Sequence, residues 1–443
     1  MKNSGLLIAA VVLAALTGAL YWSNRHPASE NTAKASVDTA PKILSLKQED
    51  ISKIQIKKKG GEDLDLAKGD GGKWQITAPK PLGADQEAVS SLLSTVSSLN
   101  SDRLVDDKAA DLGQYGLADP SLELDVTAKD AKPQKLFLGD VTPAGNAVFA
   151  KLEGDPRVFT VANYNKTSID KTANDLRDKR LLTIDFDKLS QVELITKKQD
   201  IEFGRNKQEW QIVKPKPLRA DNFQVEEIVR KLRNARMDAS TTDADARKAA
   251  ALFASGTQVA TAKLTDLAAM QELQIRKSKD DYYAKSTAVA GVYKVPSDVG
   301  QGLDKNVDDF RNKKLFDFGF DDPGKVEIHD GAKAYFLTKG GQDWWSADSK
   351  KVDPAGAQSL IDKIRELSAT KFVDSGFTTP VLDVTVTSND GKRVEKILIS
   401  KSGDNYIAKR ENEPALYQLD SSSVADLQKI AADVKPAPPA GKK

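Results

Sequence analysis

The chain contains no cysteine and almost no histidine. None of its 443 residues is Cys, and its two histidines, His26 and His329, lie far apart. Without Cys, the protein forms no disulfides, thiolate nucleophiles or Cys-ligated zinc sites. With only two histidines, far apart in the sequence, most metal-ligand sets and Ser/His catalytic arrangements are also excluded. We therefore expect a protein that is not an enzyme and that has no catalytic residue, cofactor or metal ion.

The chain also lacks an excess of charge of either sign. It has 66 Lys and Arg residues against 64 Asp and Glu, a formal net charge of +2. Nucleic-acid binding needs a clustered positive excess, so we expect no nucleic-acid partner. The charged fraction of 29% and the hydrophobic fraction of 40% are typical of globular domains, and the length suggests about three of them.

Long apolar segments are absent except at residues 6–22, which are apolar apart from one Thr and one Gly. As a helix, this run would be roughly 25 Å long, just enough to span a bilayer. It closes with Tyr21 and Trp22, which favour the membrane–water interface. We expect residues 1–26 to be an uncleaved N-terminal membrane anchor. The alternative is a cleaved signal peptide with the small residues 17–19 at its cleavage site.

The segments that flank the predicted globular body are poor in large apolar residues. Residues 27–41 are rich in Ala, Ser, Thr, Asn and Pro, and we expect a flexible linker there. Residues 436–443 contain three prolines and predict a disordered tail. A long hydrophilic region after a single N-terminal apolar segment usually follows a secretory route, so we expect the body to be exported.

Internal repeats organise the rest of the chain. The Trp-Gln-Ile sequence at 74–76 recurs at 210–212, and nine of fourteen positions are identical between residues 73–86 and 209–222. Short runs that alternate apolar and polar residues precede and follow these windows, as in antiparallel β-meanders. The fold class is therefore α+β. We expect three tandem repeats of β-meanders covered by amphipathic helices, after one transmembrane helix, with boundaries at 42–180, 181–314 and 315–435.

The sequence predicts one amphipathic helix in each repeat, and an aspartate precedes each of them. Apolar residues follow an i, i+3, i+4, i+7, i+10 pattern, which marks one buried face. Asp85, Asp221 and Asp353 precede the three patterns. A short side-chain oxygen there accepts hydrogen bonds from the first helical turn, so we assign these residues as N-caps rather than catalytic carboxylates.

A basic connector ends the first two repeats but not the third. It reads Asp-Leu-Arg-Asp-Lys-Arg-Leu at 175–181 and Asp-Phe-Arg-Asn-Lys-Lys-Leu at 309–315. Because it occurs only where another repeat follows, we expect its cations to join neighbouring repeats by pairing with carboxylates or carbonyls of the next sheet. The alternative for the arginines is anion binding. The residues concerned are Arg177, Lys179, Arg311 and Lys313.

These motifs resemble a known family. The N-terminal apolar segment, the repeated Trp-x-Ile-x-x-Pro with Ala-Asp and a helix, the Tyr-Gly-Leu-x-x-Pro element at 115–120 and the connector at 175–181 are similar to the bacterial domain-of-unknown-function family numbered 4340. The resemblance implies a single-pass inner-membrane protein with its body in the periplasm. It also implies a genetic neighbourhood of ABC-transporter components like those of gliding motility. It carries over no catalytic residue.

Three classes of function remain open at this stage. The first is a non-enzymatic, membrane-anchored accessory or scaffold subunit of an envelope complex, with an ABC-transporter-like partner, because repeats supply extended surface. The second is a module that binds an envelope polymer or glycan through an exposed aromatic. Trp345 aligns with Trp74 and Trp210, which leaves Trp344 as the possible surface contact. The third is a hydrolase that uses only carboxylates.

Overall fold

The structure is a computed structural model that describes residues 43, 44, 46–129, 131–207, 209–238 and 242–438. The predicted anchor and linker, and the end of the predicted tail, lie outside these residues. Among the helices that are described, none combines the length and the apolar character needed to cross a membrane.

The chain forms two compact units, Met1–Lys179 and Arg180–Lys443. The first contains one antiparallel sheet and the second contains two, so the three predicted repeats correspond to three sheets. The α+β class and the repeated antiparallel architecture are thereby confirmed.

Repeat one is a nine-stranded sheet with helices packed against it. In the order in which they lie in the sheet, the strands are β4, β3, β2, β1, β6, β7, β8, β9 and β5. Their bounds are β1 (Ile51–Lys58), β2 (Leu64–Lys68), β3 (Trp74–Ala78), β4 (Leu82–Gly83), β5 (Arg103–Asp106), β6 (Leu122–Ala128), β7 (Gln134–Val141), β8 (Ala147–Leu152) and β9 (Val158–Ala162). The helices are α1 (Gln86–Ser97), α2 (Asn163–Ile169) and α3 (Ala173–Leu176).

Repeat two is an eight-stranded sheet with the same order of pairing, β13-β12-β11-β10-β14-β15-β16-β17. The strands are β10 (Gln191–Thr196), β11 (Asp200–Asn206), β12 (Glu209–Lys214), β13 (Leu218–Arg219), β14 (Thr257–Thr265), β15 (Met270–Ser278), β16 (Asp281–Ser286) and β17 (Val292–Val295). The helices are α4 (Asn222–Arg233), α5 (Asp243–Ser255) and α6 (Ser297–Leu303). The last residues of α5 lie at the place in repeat two that corresponds to the Tyr-Gly-Leu element of repeat one, and that element is missing from repeat two.

Repeat three is also eight-stranded, in the order β20-β19-β18-β22-β23-β24-β25-β21. The strands are β18 (Lys325–Asp330), β19 (Lys333–Gly340), β20 (Asp343–Trp345), β21 (Lys371–Val373), β22 (Pro380–Ser388), β23 (Arg393–Ser402), β24 (Asn405–Arg410) and β25 (Leu416–Leu419). The helices are α7 (Pro354–Glu366) and α8 (Ser421–Asp433). Pro436 forms a β-bridge with Val352, so ordered structure continues past the boundary expected at 435.

Each sheet is made of two meanders joined through their first strands. The joining pairs are β1 with β6, β10 with β14 and β18 with β22, all antiparallel. The hairpin of the second meander keeps one register in all three repeats, pairing Ala150 with Phe159, Ala284 with Tyr293 and Ala408 with Tyr417. This agrees with the constant spacing of these residues in the sequence.

The core of each repeat lies between one sheet face and the predicted helix. All the residues of the three apolar patterns are buried, so the predicted helices and their phase are confirmed. Burial of each Val, Leu or Ile side chain among them contributes about 1.5–3 kcal/mol. The buried residues are Val89, Leu92, Leu93, Val96 and Leu99; Val225, Ile228, Val229, Leu232 and Ala235; and Ala357, Leu360, Ile361, Ile364 and Leu367.

Candidate functional site

The three predicted capping aspartates precede the helices as expected. The Asp85 carboxylate accepts hydrogen bonds from the Glu87 and Ala88 N–H groups at 3.1 and 3.2 Å. Asp221 and Asp353 accept from the N–H groups three residues further on, at 3.3 and 2.9 Å. These contacts satisfy donors of the first turn, and so account for an Asp at each site by helix capping alone.

The connector uses its backbone to hold the helix entry of its own repeat. In repeat one, Arg177 is buried and forms a β-bridge with Ala84, and the Leu176 carbonyl accepts from the Asp85 N–H at 2.8 Å. Lys179 is partly buried. The expected contact of Arg177 and Lys179 with the following repeat stays a prediction.

The second connector hydrogen-bonds to repeats two and three in turn. Its first half forms a β-bridge between Arg311 and Ala220 and accepts from the Asp221 N–H through the Phe310 carbonyl at 2.7 Å. Its second half reaches repeat three, where the Lys313 carbonyl accepts from the Ala369 N–H at 2.8 Å. Lys313 thus links the repeats through its main chain, while its side chain is exposed.

Arg311 does contact repeat three, but its partner differs from the one expected. Its guanidinium carbon lies 3.4 Å from the centroid of the Phe372 ring on β21, and its ion pair is with Asp308, the residue just before the connector. The prediction of a carboxylate or carbonyl partner in the next sheet is therefore wrong for this side chain. A planar guanidinium stacks well on an aromatic face, which explains why a ring can take that place.

The strongest polar link between repeats two and three comes from Arg219, at the end of β13. Its guanidinium forms ion pairs with Asp317 and with Glu413, the latter at 3.0 Å. It also donates to the Tyr417 hydroxyl at 3.2 Å and to the Lys314 carbonyl. The side chain is only 20% exposed. Four acceptors around one partly buried guanidinium fix the relative position of the two repeats at this point.

A second layer of charge lies behind Asp317, within repeat three. The Glu395 carboxylate is 3% exposed and accepts from Arg410 at 3.0 Å and from Arg393 at 3.3 Å. It also accepts from the Asp317 N–H at 3.1 Å. A carboxylate this deeply buried is tolerated because both of its oxygens accept hydrogen bonds.

Burial and charge oppose each other in this cluster. Burial would lower the pKa of Arg219, but the carboxylates of Asp317 and Glu413 and the Tyr417 hydroxyl raise it above the usual range. Burial raises the pKa of the Tyr417 hydroxyl, although Arg219 acts in the opposite direction. Arg219 therefore stays charged, and Tyr417 stays protonated, throughout the neutral range.

A cavity of about 330 Å³ opens beside this cluster. Five cationic side chains line it, whereas two of its lining residues carry carboxylates. Phe320 stands at its edge and is 97% exposed. No group of side chains with a metal-binding arrangement occurs in the described part of the chain. The cationic residues are Arg219, Lys314, Arg365, Arg393 and Arg410.

Comparison with known proteins assigns a family. The profile of a "Domain of unknown function (DUF4340)" matches residues 74–210 and 210–379, which together exceed half of the chain. The chain belongs to the DUF4340 family. This confirms the resemblance drawn from the repeated motifs, and the two matched segments overlap the repeated Trp-Gln-Ile windows.

Other comparisons add little to the DUF4340 assignment. No curated protein matches the chain significantly. A DNA polymerase sliding clamp from Pseudomonas aeruginosa is 9% identical, with 86% of this chain and 93% of that chain covered, at a TM-score of 0.17. A putative DNA polymerase III beta subunit from Eubacterium rectale is 8% identical over the same shares, at 0.18. These scores are too low to indicate a shared fold.

The tryptophan assigned to the surface in this DUF4340 chain is instead a core residue. Trp344 is 4% exposed, whereas Trp345 is 38% exposed. Trp344 faces Lys339 across the strands, as Trp210 faces Arg205, so it occupies the position of the repeated tryptophan. The prediction that Trp344 is a surface contact is wrong because successive strand residues point to opposite faces, and the alignment was out by one residue.

Sequence reasoning missed Arg219, although the repeats contain a signal for it. Within the nine-identity window, repeat one has Gly83 where repeat two has Arg219. A long cation replacing glycine inside an otherwise repeated motif marks a contact that only one repeat makes. Its partners, Asp317 and Glu413, lie about 100 and 200 residues away in sequence, and no local pattern indicates them.

Proposed function

We propose that this protein is a non-enzymatic, membrane-anchored scaffold or accessory subunit of a bacterial envelope complex. Its N-terminal apolar run would hold it in the inner membrane, with the repeats in the periplasm. The partner that the family resemblance suggests is an ABC-transporter-like membrane complex.

The observation that carries this proposal is the junction of repeats two and three. Two arginines of repeat two, Arg219 and Arg311, engage the ring pair Phe372 and Tyr417 of repeat three, and the Arg219 guanidinium meets two carboxylates there. Such fixed contacts between successive repeats suit a protein whose task is to present a continuous surface.

Exposed apolar side chains give this surface candidate contact points. Phe320 in repeat three and Leu267 in the β14–β15 hairpin are almost fully exposed. Because a membrane-protein partner would cover exposed apolar side chains, these two positions are where we look first for contact with it. We expect at least one of them to lie at the interface with a membrane-protein partner.

Site-specific photo-crosslinking in cells tests the proposal. A photoreactive residue is placed at Phe320 or at Leu267, with the exposed polar positions Lys248 and Glu411 as matched controls. We expect adducts with a membrane protein from an apolar position and not from the controls. Absence of any membrane-protein adduct, together with co-purification of no membrane protein from mild detergent, would refute the proposal.

Topology is tested separately by protease protection. Cells with an intact outer membrane, cells with a permeabilised outer membrane and fully lysed cells are compared, and the N-terminus of the recovered protein is sequenced. We expect digestion of the repeats once the outer membrane is permeable, and an N-terminus that retains residues 6–22. Digestion only after lysis would place the repeats in the cytoplasm and contradict the exported arrangement.

A further inference from the structure

We infer that the cavity between repeats two and three binds the oxyanion group of a small organic ligand. Such a ligand site is independent of the scaffold role. The volume of the cavity, about 330 Å³, is at the lower end of the range for small-molecule sites.

The charge on the cavity wall favours an anionic ligand. Five cationic side chains line it against two carboxylates, so the wall carries a positive excess although the whole chain is almost neutral. Asp317, which pairs with Arg219, is one of the two lining carboxylates. Glu413 and Glu395, which also balance Arg219 and Arg410, do not line the cavity. Cations that converge on a concave surface raise the local concentration of anions.

Two of the cationic side chains at the cavity keep free hydrogen-bonding capacity. The Lys314 ammonium group is exposed and has no ion-pair partner among the residues that the structure describes. Arg393 is 43% exposed and uses its Nε and Nη2 atoms on Glu395, which leaves Nη1 available. These donors suit phosphate or carboxylate oxygens, which guanidinium and ammonium groups recognise by charge-assisted hydrogen bonds.

The aromatic edge indicates that the ligand has an organic body. Phe320 projects almost wholly into solvent, while the carbonyls of Gly319 and Phe320 accept from Arg365, the former at 2.9 Å. The arginine thus fixes the backbone that carries an otherwise unpacked ring beside the cationic wall. A ligand with an oxyanion and a ring or apolar group would cover both features.

Adjacent lysines provide a matched pair for the test. Lys313 and Lys314 are both exposed, but only Lys314 lines the cavity. Calorimetric titration of the full chain in detergent with pyrophosphate at low ionic strength should show one site per chain. We expect Lys314→Gln and Arg393→Gln each to weaken binding about 3- to 10-fold, and Lys313→Gln to leave it unchanged. Equal weakening by Lys313→Gln and Lys314→Gln, or no saturable binding of pyrophosphate or citrate, would overturn the inference.

Two further titrations identify the ligand chemistry. Binding of pyrophosphate without citrate assigns a phosphate group, whereas binding of citrate without pyrophosphate assigns a carboxylate, and either supports an oxyanion site. Phe320→Ala should weaken phenyl phosphate several-fold and leave inorganic phosphate unchanged. If the variant binds both phosphates as the unsubstituted chain does, the organic part of the inference is wrong.

Discussion

Arg219→Gln tests whether one side chain joins repeats two and three. The substitution removes the guanidinium from Asp317, Glu413 and the Tyr417 hydroxyl, and leaves two carboxylates with fewer donors. Loss of one partner from a fully buried ion pair costs about 3–5 kcal/mol. Because Arg219 is one-fifth exposed, we expect about 2–3 kcal/mol, which is a change of about 30- to 150-fold in an opening equilibrium.

Hydrogen exchange measured by mass spectrometry on the full chain locates this loss. Peptides of repeats two and three should exchange faster in Arg219→Gln, while peptides from residues 46–129 should keep their rates and serve as an internal control. Arg230→Gln is the matched substitution, because Arg230 makes the same kind of ion pair with Glu227 but on an exposed face of α4. We expect it to change exchange only locally.

A double-mutant cycle then isolates the pair with Glu413. Arg219→Gln and Glu413→Gln should be coupled by about 1 kcal/mol or more, since contacting residues in one network are not additive. If Arg219→Gln costs no more than Arg230→Gln, or if the coupling with Glu413 is absent, the assignment of Arg219 as the link between the repeats is refuted.

Three further sets of substitutions test particular structural assignments by urea unfolding. Trp344→Ala should cost about 3–5 kcal/mol because the side chain is buried, whereas Trp345→Ala should have little effect; equal effects would contradict the strand register. Asp353→Ala should cost about 1 kcal/mol by removing a helix cap, and Asp353→Asn should restore most of it. A hydrogen bond from Lys263 is the main cause of the lowered pKa of Glu193. The stability that the ionised Glu193 carboxylate contributes is therefore present above the pKa that Glu has in the unfolded chain, and it is lost as pH falls through the lower pKa of the folded state. Glu193→Gln should therefore reduce the dependence of stability on pH below about 4.5. If the variant lost stability at acid pH as steeply as the unsubstituted chain does, this assignment would be contradicted.

Local patterns predicted the helices and hairpins well. The three capping aspartates and the apolar faces behind them follow from spacing alone, because helix phase and capping depend on residues a few positions apart. The hairpin registers at Ala150, Ala284 and Ala408 have the same local basis, since each Ala pairs with the aromatic residue that follows it at one constant spacing.

Predictions from the sequence were wrong or incomplete where a one-residue shift, or a contact between residues far apart in sequence, decides the structure. In repeat three, two adjacent tryptophans offered two alignments, and a shift of one residue exchanges the core face for the solvent face. The partner of Arg311 proved to be Phe372, about 60 residues away. The cationic cavity draws its side chains from β13, the connector, α7, β23 and β24, so no local window of sequence contains it.

The second connector affects how this chain can be divided for experiment. A fragment that ends before Phe310 deprives the Asp221 N–H of its acceptor, and one that begins after Lys313 does the same to the Ala369 N–H. Any cut between these points also separates Arg219 from Asp317. Repeats two and three are therefore distinct in sequence but lie in one compact unit, and expression trials should treat residues 180–438 as the smallest C-terminal fragment that keeps these contacts.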